Sequence, residues 1–270
     1  MLKRQILNSK GQALLIIVLV MVVALTITLS VISRAVVNLR TTQEQVDSQK
    51  ALAAAEAGIE QTIKSGTAIA NGSFTNTKYS TTINDVSGSS FLVNGGVAVE
   101  QDKGTYIWLS PYTGDATQWN QKWNGTLYIY WGESTTPLNN AALEIAVISG
   151  ADVASANIKR YAIDPAGRGN GFSDPFESAG YTVEGKTLRY RAAVTVTNGM
   201  LVRVIPVYKD SFMAVTSATP LPLQGKIISA TGCVPDCTSS SQATRKVTVF
   251  QGFPELPADF FPYSLLIPSH

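Results

Sequence analysis

An unbroken run of uncharged, mostly apolar residues over positions 13–32, ALLIIVLVMVVALTITLSVI, constrains what this chain can fold into more than any other feature. About 20 such residues are what a helix needs to cross the hydrocarbon core of a bilayer. The run exceeds the roughly 7–15-residue apolar stretch of an ordinary secretory leader, and no small-x-small cleavage site follows it closely. It therefore predicts one membrane-spanning helix. Lys3, Arg4 and Lys10 precede it, and Arg34 and Arg40 follow it. The basic residues and the α-amino group on the N-terminal side favour retention of that side in the cytoplasm. The chain after about residue 33 is then expected outside, as the rest of a single-pass membrane protein.

The helix is predicted to continue past the membrane. Neither Gly nor Pro occurs from Gln12 to Ala57, and TTQEQVDSQKALAAAEAGIEQTIKSG is rich in helix formers. Ile32, Val36, Leu39, Val46 and Ala53 fall roughly along one face. Leu52, Ala55, Ile59 and Ile63 make a second stripe. The stop is expected at Ser65-Gly66, with Lys64 near the negative end of the helix dipole. Ala51, Ala53, Ala54, Ala55 and Ala57 would admit another backbone closely, from a β head or a neighbouring helix.

These residues carry a family likeness. Ser9-Lys10-Gly11-Gln12-Ala13-Leu14-Leu15-Ile16 resembles the class III signal of type IV prepilins: a short basic leader, a glycine, then an apolar helix. Ala53-Ala54-Ala55-Glu56-Ala57-Gly58-Ile59-Glu60 looks like the segment that ends the helix in PilX-type minor pilins. The likeness covers residues 1–64 and is loose beyond them, where RKVTVFQGFPELP is similar to pilin-like proteins of this group. The resemblance implies cleavage by prepilin peptidase between Gly11 and Gln12, N-methylation of Gln12, and assembly with other pilin-like subunits through the helix. Three positions depart from major pilins. Ile16 stands where they carry a glutamate, the apolar segment has no kinking proline, and Gln12 replaces the usual Phe or Met. A carboxylate in lipid is costly without a partner, so its absence fits a minor, tip or initiating subunit.

The expected organisation is a leader over 1–11, a transmembrane and projecting helix over 12–65, and a β-rich extracytoplasmic head over 66–270. That makes an α+β chain with a sandwich-like head. Strands are expected at 96–100, 105–109, 126–131, 143–149, 158–163, 188–197, 200–208, 226–230 and 246–250. Asn198-Gly199 reads as a two-residue hairpin turn. Leu188, Tyr190, Ala192, Val194 and Val196 share one strand face, and the strand after the turn, apolar on both faces, reads as central. Residues 66–94 read as loops and short strands. The Pro-rich tail, PELPADFFPYSLLIPSH, is expected to pack back on the head.

Catalysis is not expected. The one histidine, His270, is the last residue, which leaves no ordinary general base for Ser-His-Asp or Cys-His chemistry. The two cysteines, Cys233 and Cys237, are too few for a zinc site. Outside the cytoplasm they would most simply close a small disulfide loop, the alternative being two reduced thiols in an exposed turn. No cofactor or metal is expected. The loop from Asp164 to Asp174 lacks the acidic alternation of a calcium site and does not fit a phosphate loop, so it reads as plain surface. Trp108, Trp119, Trp123 and Trp131 read as core more than as a stacking platform, with Trp119 and Trp123 the more exposed. Arg189, Arg191, Arg203, Arg245 and Lys246 form either a basic stripe suited to nucleic acid or a solvated face. Two readings stand: a fibre subunit, and a membrane-anchored binding module that displays an adhesive or DNA-binding head without entering a fibre.

Overall fold

The computed structural model describes residues 9–115, 117–238 and 243–254, without the side chains at 9–13 and 177–179. It is an α+β chain: one long N-terminal helix, then a mostly β remainder. The chain forms two compact units.

The first unit joins the helix to Ile69–Ser80 and Ala230–Val247. Helix α1 runs Ser9–Ser65, about 85 Å at 1.5 Å per residue. It ends where the sequence predicts, with Gly66 in the left-handed region at φ 70° and Lys64 in the last turn. Strand β1 (Gly72–Phe74) folds back on β2 (Thr77–Leu92) through Asn76 at φ 55°. Phe74 and Tyr79 stack at 5.3 Å. The Tyr79 hydroxyl donates to Gln61 Oε1 of α1, which ties this hairpin to the helix.

The buried stripe of α1 keeps Ala55 and Ile59 of the predicted one and adds Ala51 and Ala54 from the alanine cluster expected to admit a β backbone, while its two larger members turn outward. Ala51, Ala54, Ala55, Ile59 and Thr62 are buried at i, i+3/i+4 spacing. Leu52 and Ile63 remain 40% and 42% exposed. The helix meets its β neighbours on its smallest side chains, because there a strand backbone can come closest.

The second unit holds Thr81–Ser229 and the chain from Thr248, with Gly66–Ala68. Its strands are β3 (Thr105–Trp108), β4 (Trp123–Trp131), β5 (Ala142–Ser149), β6 (Asn157–Ile163), β7 (Phe176–Val183) and β8 (Lys186–Val207). Strands β2, β9 (Met213–Val234) and β10 (Ala243–Gly252) contribute residues to both units. The sheet order is β1-β2-β9-β4-β8-β5-β6, with β10 on β9 and both β3 and β7 on β8. Leu127, Ile129 and Trp131 of β4 meet Leu143 and Ile145 of β5 and Tyr190 to Val196 of β8 in the main core. The predicted face of Leu188, Tyr190, Ala192, Val194 and Val196 is buried throughout.

Three expectations change. Asn198-Gly199 is not a hairpin turn but a bulge inside the continuous strand β8. The residues before it pair with β4 and β7, and those after it with β5 and β3, so the two halves are held by neighbours and not by each other. Asn198 takes the left-handed conformation at φ 53°, and its N–H donates to Asn124 Oδ1 at 2.8 Å. That is how asparagine serves a bulge as readily as a turn. The real hairpin lies earlier, between β7 and β8, at Glu184 (φ 47°) and Gly185 (φ 83°). Residues 96–100 form no strand: Val93–Gly96 is a 3-10 turn with Asn94, Gly95 and Gly96 at positive φ, and Val99 alone bridges to Ser211. Residues 66–94, read as short pieces, instead hold the 16-residue β2.

Candidate functional site

The dominant surface feature is the bare half of α1. Every described side chain from Leu14 to Val46 is exposed, and this stretch is long and apolar enough to cross a membrane. Thr26 and Thr28 return their hydroxyls to the carbonyls of Val23 and Ala24 at 2.8 Å. Neither hydroxyl is therefore left without a partner on the apolar stretch. Beyond it the helix turns polar, with Arg40 paired to Glu44 at 3.0 Å and Gln43 bonded to Asp47. Gly11 and Gln12 lie in the first turns of α1. The Gln12 side chain and residues 1–8 of the expected 1–11 leader fall outside the described residues, as does the tail from 255 onward with His270.

The C-terminal half of the helix is fastened at three levels within the first unit. Arg245 Nε donates to Ser48 Oγ at 2.8 Å. Gly232 of β9 lies on the main chain at Ala51 and Ala55. Tyr79 reaches Gln61. Directly after Gly232, Cys233 and Cys237 stand at disulfide distance, S–S 2.15 Å and Cα–Cα 5.2 Å. Cys233 is buried while Cys237 is exposed.

The remaining sequence candidates are occupied within the second unit. Asp164 is 1% exposed. Its carboxylate accepts from Arg168 Nη1 at 2.5 Å, Asn170 Nδ2 at 2.8 Å and the Ala166 amide at 2.9 Å. Arg168 also donates to the carbonyls of Leu138 and Asn140. The Asp164 carboxylate is thus satisfied from within its own loop, which Arg168 in turn ties to residues 138 and 140. Trp108, Trp123 and Trp131 are buried. Trp119 is half-buried, stacked on Trp108 at 6.0 Å. Trp123, expected among the more exposed, is buried because it opens β4 and donates Nε1–H to the Thr219 carbonyl at 3.2 Å. The arginines serve separate tasks. Arg189 donates to the Glu133 carbonyl, Arg191 lies over the rings of Tyr128 and Phe176, and Arg203 lines a cavity.

That cavity, about 560 Å³, lies within the second unit. At its edge Glu100 pairs with Lys103 at 2.7 Å; the hydrogen bond and charge of Glu100 hold the Lys103 ammonium above its ordinary pKa. No sequence signal marks the cavity, because its walls come from separate stretches near Phe91, Tyr106, Arg203, Gln224 and Phe253. Among the described residues no group of three or more His, Cys, Asp or Glu side chains is placed to hold a metal ion.

No protein-family model matches the chain, and no curated protein matches it.

Proposed function

We propose that this protein is a non-catalytic type IV pilin-like subunit of the minor kind. It inserts by α1, keeps its N-terminus in the cytoplasm, presents the β head outside, and takes part in assembling a pilus or pseudopilus. One observation carries the reading: a single helix, Ser9–Ser65, whose first half is apolar and bare while its second half is fastened through alanines to β strands. Such a helix can leave a bilayer and pack beside other helices without disturbing the head. Ser9-Lys10-Gly11-Gln12 at its start supplies the resemblance to a prepilin cleavage site.

Co-expression with a prepilin peptidase, followed by intact-mass and N-terminal peptide mass spectrometry, tests it. A mature chain starting at methylated Gln12 is the expected result. A chain still starting at Met1, while a control prepilin is cut in the same cells, removes the fibre reading. The second reading then stands, a stationary anchored binding module, which the cavity of the second unit favours.

A further inference from the structure

The cavity of the second unit has the volume of a small-molecule pocket, 560 Å³ against the roughly 300–1,000 Å³ such sites span. We propose that it binds a neutral, polyhydroxylated ligand of mono- or disaccharide size. The inference stands apart from the pilin reading, and either can fail without the other.

The wall chemistry carries it. Tyr106, Phe250 and Phe253 contribute rings, while Glu100, Asp102, Lys103 and Arg203 contribute two carboxylates and two cations. The charges balance, and Glu100 and Lys103 already neutralise each other at 2.7 Å. A ligand therefore gains little from net charge. It gains from offering donors and acceptors together, as sugar hydroxyls do, and from C–H faces that pack on aromatic rings.

The wall is also held in place. Gln224 is buried; its Oε1 accepts the Trp108 N–H at 2.7 Å and its Nε2 donates to the Trp108 carbonyl at 2.9 Å. This secures one edge of β3, whose other edge pairs with β8 from Thr105↔Val204 to Trp108↔Leu201. Two glycines keep the wall clear. A Cβ at Gly104 would press on the Arg203 guanidinium, 2.9 Å from Nη2, and one at Gly95 would meet the Phe250 Cβ at 2.6 Å. The absence of these methyls leaves Arg203 and Phe250 where they line the space.

The test uses the full chain in detergent and saturation-transfer NMR with glucose, galactose, N-acetylglucosamine, lactose and the methyl β-glycosides of the three monosaccharides. At least one sugar is expected to receive saturation. Its half-saturation concentration should rise tenfold or more in Arg203→Lys and in Gly104→Ala, with the circular dichroism of each variant unchanged. A free sugar and the end of a surface glycan share this chemistry. A site for a glycan end keeps the methyl glycoside, whereas a site for free sugar rejects it. The proposal is overturned if no sugar receives saturation, or if transfer is equal in wild type and in the folded variants. Should Arg203→Lys not fold, Gly104→Ala decides alone.

Discussion

Gly232 of β9 stands against the main chain of α1: a Cβ built there would overlap the Ala51 carbonyl oxygen and lie 2.7 Å from the Ala55 nitrogen. Backbone cannot yield as a flexible side-chain end can. Gly232→Ala should therefore cost about 1–3 kcal/mol, the range for overpacking a tight contact, and Gly232→Val more. Thermal unfolding of the detergent-solubilised chain reads this. An unchanged midpoint in Gly232→Val would refute the close approach.

Asp164 and Arg168 form the second tight pair. Removing the guanidinium leaves a carboxylate that is 1% exposed with only neutral donors. Arg168→Leu should destabilise by about 3 kcal/mol, as breaking a buried ion pair does. Because the loop satisfies itself, millimolar calcium should leave the wild-type unfolding midpoint where it was. A calcium-dependent rise would revive the loop as a cation site.

Cys233 and Cys237 are four positions apart, so a bond between them closes a short loop. Loop-closure entropy for such a span is about 2 kcal/mol. Protein secreted through an oxidising compartment should carry no alkylatable thiol, and Cys237→Ser should unfold earlier by roughly that amount. Full alkylation of the untreated protein would mean two reduced thiols instead.

The turn at Asp152 offers a pH readout. The Ser155 hydroxyl, and then its amide, donate to the carboxylate and hold its pKa below the ordinary value. Folded structure thus favours the ionised form. The contribution is present above the unfolded carboxylate pKa of about 3.9 and fades as pH falls through the lowered folded one. An NMR titration of Asp152 should show a midpoint below an ordinary aspartate, moving up in Ser155→Ala. Equal midpoints would contradict the hydrogen-bonded turn.

Much of this was legible in sequence, for physical reasons. The helix from its apolar run to Ser65-Gly66 follows from composition, absent breakers and a C-terminal glycine, all of them local. The period-2 face from Leu188 to Val196 is local as well. What depends on distant partners was not legible. Asn198-Gly199 satisfies a turn and a bulge equally, and the choice falls to β4 and β5, which pair with the flanking halves of β8. Leu52 and Ile63 match helical periodicity as well as Ala51 and Ala54 do. The alanine cluster marked where a backbone could come close; that Gly232 is the residue that does so, leaving Leu52 and Ile63 outside, depends on a distant partner. Within β9, Pro220 and Pro222 lack donors and interrupt the strand pattern that the fold nonetheless carries through to Val234.

The place of β9 in the sheet has a consequence for how the chain is made. It lies between β2 and β4, yet β2 ends at Leu92 and β9 begins at Met213. A ribosome delivers α1 first, while most of the strands have yet to be synthesised. Until Met213 and the residues after it emerge, the path is cut in two, β1 with β2 on one side and β4, β8, β5 and β6 on the other. Vectorial synthesis thus imposes a wait, during which open strand edges must be kept from pairing elsewhere.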